Sequence, residues 1–282
     1  MTHISEKNLS TMQYGDLASA KVISLRESKD RRHRLVAAGF PSDLVRRYHL
    51  ATDLRGASDD VLASASDRRA LLRTYEREVR PAEIGCAVSH RDAYRILLEE
   101  DTELGWIFED DNRPLHSDTF KRMQKLADLL QPRAARAESF ICNVGMPETL
   151  STSMRARAVT NHDDVTVDLK LYCDSFRRVW RANAYLISRE AMVRLIAHQN
   201  PISYLADDWS AHFWSGRLRI YFPTQPLFAQ DTSLESTVQI PDAPTFSEHL
   251  ASRIISERIR SSLCFRTARL RSAFISNIPH RL

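Results

Sequence analysis

The sequence contains few glycines and only scattered cysteines, and it lacks a long apolar run. Only 7 of 282 residues are glycine, which argues against fibrous or low-complexity sequence. Because no stretch of about 18 apolar residues occurs, we expect no membrane-spanning helix. The polar N-terminus also lacks the apolar core of a secretory signal.

The four cysteines form no C-x-x-C pair and no zinc pattern. We therefore expect a reduced, cytosolic protein in which Cys86 and Cys142 pack as small hydrophobic residues.

Positive charge is concentrated at the end of the chain. Residues 253–282 carry a net charge of +6 and the whole chain +4, so residues 1–252 carry −2. This distribution weakens the case for nucleic-acid binding by the main part of the chain, where a basic face would be expected, and we expect no nucleic-acid partner. In the tail, apolar residues recur on one helical stripe edged by arginines, which predicts an amphipathic helix. We expect residues 250–276 to lie on an anionic membrane surface; the alternative is a helix packed on the protein's own core or on a second subunit.

Alternating strand and helix patterns predict an α/β fold. Strand patterns cover residues 21–25, 46–51, 106–108, 139–144, 182–187 and 218–222. Helices are predicted over 28–36, from Pro81 onward and from Ser188 to about 196, with weak helical character over 53–80. This order predicts a mixed, mostly parallel sheet with flanking helices. In such sheets, ligands bind beyond the carboxyl ends of the strands.

The stretch Trp106-Ile107-Phe108-Glu109-Asp110-Asp111 joins a buried strand to three carboxylates. Strand alternation predicts that Glu109 and Asp111 share a face and that Asp110 points the other way. Clustered carboxylates are stabilised by a cation, and Mg²⁺ or Mn²⁺ shared with substrate phosphates fits this pattern. The alternative is a solvated loop or a helix N-cap.

Four segments together resemble glycosyltransferase family 25, the bacterial lipooligosaccharide galactosyltransferase type. They are Val22-Ile23-Ser24-Leu25 with Arg31-Arg32; Glu83 to His90 leading to Phe108-Glu109-Asp110-Asp111; Asn183 to Arg189; and Asp207-Asp208 followed by Pro226 to Gln230 and Ser236. One departure stands out, because members usually carry Gly-Thr where this chain has Arg181-Ala182. This difference bears on which sugar and acceptor are used.

The resemblance implies a GT-A-type fold over residues 19–237, between a flexible segment 1–18 and the basic tail 238–282. It implies metal-dependent, inverting transfer of a sugar, galactose by resemblance, from a UDP-sugar to a hydroxyl of a surface glycan such as lipooligosaccharide. The protein would then act in lipopolysaccharide biosynthesis in the cytoplasm, bound peripherally to the inner face of the cytoplasmic membrane. The alternatives are a nucleotide-sugar hydrolase or nucleotidyltransferase, and a non-catalytic glycan- or lipid-binding relative.

The resemblance also assigns roles to residues. Asp111 and Glu109 are the expected metal ligands, for Mn²⁺ or Mg²⁺. The residues expected to bind the donor are Ser24, Leu25, Arg31, Arg32, Ser89, His90, Glu109 and Asp110. Trp180, Arg181 and Trp209 are expected at the acceptor.

Several of these roles have a simpler structural alternative. An inverting transfer needs a base, for which Asp207 and Asp208 are the candidates, with Asp208 slightly favoured. Asp208 is also a plausible cap of a helix over 209–214. The arginines after residue 30 also fit a solvated helix face, and His90 fits a satisfied core histidine.

Overall fold

The computed structural model describes residues 19–145, 156–159, 168–173 and 179–234, with backbone alone at 156–159. Its main feature is an eight-stranded mixed sheet, ordered β2-β1-β3-β8-β5-β9-β7-β6. The strands are β1 (Ala20–Ser24), β2 (His49–Leu50), β3 (Leu104–Glu109), β4 (Asn112–Pro114), β5 (Phe140–Asn143), β6 (Ala156–Val159), β7 (Leu169–Tyr172), β8 (Ala184–Ser188), β9 (Arg219–Pro223) and β10 (Phe228–Gln230). A separate two-stranded sheet pairs β4 with β10.

Helices cover both faces of the main sheet. They are α1 (Lys29–Ala37), α2 (Ser42–Arg46), α3 (Asp59–Ala65), α4 (Arg68–Tyr75), α5 (Pro81–Glu99), α6 (Thr119–Ala134), α7 (Arg189–His198) and α8 (Trp209–Trp214). Helices α1, α2 and α6 pack on one face of the sheet. Helices α5, α7 and α8 pack on the other. The expected mixed α/β architecture with flanking helices is therefore confirmed.

Strand alternation places the core on both sides of β3. Trp106 and Phe108 face the cluster under α1, α2 and α6, whereas Ile107 faces the cluster under α5 and α7. All three side chains are almost completely buried. A strand that is apolar on both faces is expected in the middle of a sheet that is covered by helices on both sides.

Strand direction brings distant segments to one edge of the sheet. Strands β1, β2 and β3 run parallel, and Ile23 on β1 lies beside Glu109 on β3. Strand β8 is antiparallel to β3, so its amino end meets the carboxyl ends of its neighbours. The acidic segment after β3 and residues 181–183 before β8 therefore lie together.

Two points of the sequence prediction need correction or completion. The strand predicted over 46–51 is shorter, because Arg46 belongs to the helical turn α2 and only His49–Leu50 pairs with β1. Helix α6 was not predicted, although Met123, Leu126 and Leu130 recur at helical spacing on its buried face. Within the ranges that the structure describes, no helix is long and apolar enough to cross a membrane. The predictions for residues 1–18 and for the tail at 238–282 fall outside those ranges.

Candidate functional site

A cavity of about 580 Å³ opens at the carboxyl ends of β1 and β3. Its volume is in the range typical of sites for small organic ligands. The lining brings together most of the residues predicted from sequence, namely Ser24, Leu25, Arg31, Ser89, His90, Glu109, Asp110, Asp111, Trp180, Arg181 and Asp207. Arg32, Asp208 and Trp209 are not part of this lining.

Arg31 from α1 lies between two of the three clustered carboxylates. Its Nη2 donates to Asp111 Oδ2 at 2.8 Å, and its Nε lies 2.9 Å from Asp110 Oδ1. The Ser24 hydroxyl at the end of β1 donates to the other oxygen of Asp110 at 2.7 Å. The acidic cluster thus already contains one positive partner, supplied by a residue 80 positions away in sequence.

The predicted orientation of Asp110 is wrong. Strand β3 ends at Glu109, so the alternation of a strand does not continue into the turn that carries Asp110 and Asp111. Both turn residues contact Arg31, and all three acids line the same cavity. The site therefore presents three carboxylates rather than two.

The two carboxylate oxygens of Asp111 have different surroundings. Its Oδ2 accepts from Arg31 and from Gln230 Nε2, whereas its Oδ1 is buried and, within the described residues, has no hydrogen-bond partner. Burial, reinforced by the nearby charge of Glu109, raises the pKa of Asp111 to about 6. A buried carboxylate oxygen without a partner is unfavourable unless a cation or donor binds there. Asp111 therefore fits its predicted role as a ligand for a hard cation.

Glu109 is held by a buried chain of polar groups. Its Oε1 lies 3.2 Å from His90 Nε2, while His90 Nδ1 lies 2.7 Å from the Tyr185 hydroxyl, which in turn contacts the Tyr94 hydroxyl at 2.6 Å. Because an ionised carboxylate only accepts, His90 Nε2 carries the hydrogen toward Glu109. With Nε2 as the donor, Nδ1 is left to accept from the Tyr185 hydroxyl. His90 thus combines a buried position with direct contact to a cavity acid.

Cys86 lies in this site rather than packing as a small hydrophobic residue, which corrects the prediction. Its sulfur, a ring nitrogen of His90 and a carboxylate oxygen of Glu109 lie within 4.8 Å of one another. Burial raises the pKa of the Cys86 thiol, and its soft sulfur suits Mn²⁺ or Mg²⁺ less well than a carboxylate oxygen does. Cys142, by contrast, is fully buried in the core as predicted.

Arg32 and Ser89 support the cavity wall. Arg32 is buried behind the lining, where its Nη1 donates to Ser24 Oγ and to the carbonyl of Leu25. Ser89 Oγ on α5 accepts from the backbone N–H of Thr52, which fixes the segment after β2. These two side chains therefore position Ser24, Leu25 and Thr52, and Arg32 is shielded from a bound ligand by the residues it holds.

The two candidate bases have different environments. Asp208 is buried, accepts from Ala211 N at 3.3 Å as the N-cap of α8, and accepts from the Tyr75 hydroxyl at 3.1 Å. Asp207 instead lines the cavity. Burial, followed by the charges of Glu109 and Asp208, raises the pKa of Asp207 to about 7. A general base works best when its pKa is near the operating pH, so this geometry favours Asp207 over Asp208.

We expect Asp208→Ala to lower the free energy of unfolding by about 1–3 kcal/mol, because the α8 cap and the acceptor of the Tyr75 hydroxyl are lost. Asp208→Asn keeps an oxygen for the cap and should lose less. Urea unfolding followed by circular dichroism measures both. Wild-type stability of Asp208→Ala together with abolished sugar transfer would contradict the capping role.

The predicted acceptor residues divide between the cavity surface and its support. Trp180 and Arg181 line the cavity. Trp209 is buried against Tyr185, with 4.8 Å between ring centroids, and its Nε1 donates to the Arg181 carbonyl at 2.8 Å. Trp209 therefore holds the segment that lines the cavity, and the aromatic surface offered to a ligand is that of Trp180.

Some contributing residues were not singled out from sequence. Gly85 on α5 allows close packing, since a Cβ there would lie 2.6 Å from the carbonyl oxygen of Thr52. Asn112 and Asn183 bond to each other beside the acidic turn. Gln230 and Gly85 both occur in the segments of the family resemblance, which was the available signal for them. The pairing of Asn112 with Asn183 depends on the order of strands in the sheet, so no local sequence pattern predicts it.

Comparison with known proteins identifies the family. No curated protein matches the chain. A family model described as glycosyltransferase family 25 (LPS biosynthesis protein) matches residues 19–210, which contain all the acidic residues of the cavity discussed above. This match covers more than half of the chain and agrees with the resemblance carried by the four sequence segments. The protein belongs to glycosyltransferase family 25.

Proposed function

We propose that this glycosyltransferase moves a sugar, galactose by resemblance to the family, from a UDP-sugar to a hydroxyl of a surface glycan such as lipooligosaccharide, with inversion of configuration. The observation that carries the proposal is the presence of two separate carboxylate environments in one cavity. Glu109, Asp110 and Asp111 lie beside Arg31, whereas Asp207 approaches from the segment before α8. One environment suits a diphosphate with a cation, and the other suits a base.

On the donor side, Arg31 would contribute positive charge to the phosphates. Arginine binds phosphate oxygens through two parallel N–H groups. Ser24 and Asp110 hold this guanidinium at the carboxyl ends of the strands, since Ser24 anchors the same Asp110 that pairs with Arg31. The proposed donor position is therefore the part of the cavity nearest β1 and β3, as expected for this type of sheet.

Asp111 and Glu109 are proposed to hold Mn²⁺ or Mg²⁺, and the buried Oδ1 of Asp111, which has no hydrogen-bond partner within the described residues, supports this assignment. Both residues offer oxygen, the ligand that these ions prefer. When bound, the ion would supply positive charge that stabilises the departing UDP. His90 would orient Glu109 through the hydrogen bond from Nε2. Cys86 is not proposed as a ligand, because its sulfur is a soft donor and these ions prefer oxygen.

On the acceptor side, Asp207 is proposed as the base. The acceptor hydroxyl oxygen forms a bond to the anomeric carbon, its proton passes to the Asp207 carboxylate, and the bond from that carbon to the UDP oxygen breaks with its electron pair. Asp207 must be ionised for this step, and its pKa of about 7 allows both proton uptake and release near neutral pH. Trp180 would pack against the apolar face of the acceptor sugar.

The proposal is tested by measuring UDP release from a panel of UDP-sugars, with Mn²⁺ or EDTA, and with or without a truncated lipooligosaccharide. We expect release from one donor that requires the metal and increases when the acceptor is added. UDP release that does not change when the acceptor is added would favour the hydrolase alternative. Absence of release from every donor, despite UDP binding, would favour a non-catalytic relative.

Membrane association through residues 250–276 stays a prediction, because that segment lies outside the described residues. Its test is co-sedimentation with vesicles of anionic lipid, comparing the full chain with a chain lacking residues 250–282. We expect binding by the full chain alone, since each arginine contributes about 1 kcal/mol near an anionic surface. Equal binding by both forms would contradict the prediction.

A further inference from the structure

Arg181 adopts a backbone conformation that normally favours glycine. Its φ angle is 87°, in the left-handed region that residues with a Cβ rarely occupy. Such backbone strain persists only when surrounding contacts enforce it, and it is concentrated at functional sites. An arginine at this position therefore calls for an explanation in terms of its side chain.

The surrounding contacts hold the Arg181 backbone firmly in place. Its carbonyl oxygen accepts from Asn143 Nδ2 and from Trp209 Nε1, each at 2.8 Å. Asn143 is fully buried at the end of β5, and Trp209 is buried at the start of α8. Residues on two elements, β5 and α8, thus fix the peptide that follows Arg181, so the direction of its Cα–Cβ bond is set by the fold.

The Arg181 guanidinium differs from those of three other arginines that line the cavity. Arg31, Arg55 and Arg77 are each ion-paired with carboxylates. Arg181 also lines the cavity and is half-buried. Within the described residues, it has no carboxylate partner and no hydrogen bond from its guanidinium. A half-buried cation that faces a cavity without a partner is a ready site for an anion.

Backbone contacts place Arg181 with the base rather than with the donor residues. The N–H of Trp209 donates to the carbonyl of Val179 at 3.1 Å, and its side chain donates to the carbonyl of Arg181. Residues 179–181 are therefore joined to the segment that carries Asp207. Arg31, in contrast, forms ion pairs with Asp110 and Asp111 in the acidic turn after β3.

We infer that Arg181 forms an anion-binding subsite for the acceptor, recognising a carboxylate or phosphate group near the hydroxyl that is glycosylated. This inference rests on the proposed function for the assignment of the acceptor side. The same chemistry would also suit the donor's diphosphate, so the test separates the two sources. The strained Arg181 then selects a charged acceptor over a neutral one.

The test uses the full-length protein with Mn²⁺ and two probes, methyl β-glucuronide and methyl β-glucoside, which differ by one carboxylate. Calorimetric titrations give the affinity of each probe, and a separate titration gives that of UDP. Wild type should prefer the glucuronide by about tenfold or more, the value expected for a charge-assisted hydrogen bond. Arg181→Gly should lose this preference while its UDP affinity stays within about twofold.

Folding and general charge effects need separate controls. Glycine tolerates a φ of 87°, so Arg181→Gly should melt no lower than wild type. Arg55→Ala removes a cavity arginine that is already paired with Asp53 and Glu27. It should keep most of the preference for glucuronide.

Three outcomes would overturn the inference. Equal binding of the two glycosides by wild type, or binding of neither, would remove the anion subsite. A preference retained by Arg181→Gly would assign it to other residues. Weakened UDP binding with an unchanged glycoside preference would assign Arg181 to the donor diphosphate. Failure of the proposed function is distinguished separately, because it would appear as wild-type UDP release that the acceptor does not stimulate.

Discussion

Replacing Asp207 by Asn is expected to lower kcat for sugar transfer by about 10²–10⁴-fold, the usual contribution of a positioned general base. The substituted amide would keep the size of the side chain but could not accept the proton of the acceptor hydroxyl. UDP affinity should change little, because Asp207 lies on the segment before α8 and not on the acidic turn after β3. Steady-state UDP release at saturating donor and acceptor measures the effect.

The pH dependence gives an independent readout of the same residue. The wild-type rate should rise as pH increases through about 7, because Asp207 acts as a base only after losing its proton. Asp207→Asn should lose this rise. A variant with normal kcat and the same pH profile would show that the base lies elsewhere.

As pH rises, the contribution of Asp207 to the free energy of unfolding should fall while the rate of sugar transfer rises. The pKa of Asp207 in the folded protein, about 7, lies above the ordinary value of 3.8, so the folded state binds this proton more tightly than the unfolded state. The contribution of Asp207 to the free energy of unfolding therefore falls as pH rises from about 4 to about 7. The Asn side chain does not ionise, so Asp207→Asn should not lose stability in this way and should have a larger free energy of unfolding than wild type at pH 8. Chemical unfolding of both proteins at pH 5 and pH 8 tests the sign.

Replacing Asp111 by Asn is expected to reduce metal-dependent transfer by about a thousandfold, since a bound ion supplies several kcal/mol of charge stabilisation. The variant should still fold, because Arg31 keeps its ion pair with Asp110. Mn²⁺ binding, followed by the electron paramagnetic resonance of the free ion, should weaken in parallel. Wild-type affinity for Mn²⁺ should also fall below pH 6, because protons compete for Asp111, whose pKa is about 6.

Asp118→Asn is a suitable control for the loss of an acidic side chain. Asp118 is half-exposed and pairs with Arg122 on α6, away from the residues that line the cavity. It should retain both Mn²⁺ binding and transfer. Metal-dependent transfer at the wild-type rate by Asp111→Asn would contradict the ligand assignment.

The sequence predicted the elements whose signals are local. Ser188 was expected to cap a helix, and its hydroxyl accepts from Ala191 N at the start of α7. Pro81 opens α5, and Phe108 ends the buried part of β3, as their patterns indicated. These features depend on residues that are close together in sequence, so they can be predicted from one amino-acid sequence.

The side-chain arrangement of the site was less predictable because it depends on long-range contacts. Asp208 is a cap that also binds Tyr75, a residue 133 positions away, and no local pattern distinguishes it from Asp207. Arg31 meets Asp111 across 80 positions. The strained φ of Arg181 results from donors on β5 and α8, which the sequence alone does not bring together.

The most direct test of the account compares wild type with Asp207→Asn in one assay, at equal occupancy by UDP-sugar and Mn²⁺. The measured quantity is the UDP released with and without a truncated lipooligosaccharide acceptor. We predict that the acceptor stimulates release by wild type and that the variant, although it binds UDP normally, shows no such stimulation. Equal release by the two proteins, or release by wild type that the acceptor does not affect, would contradict sugar transfer by this cavity.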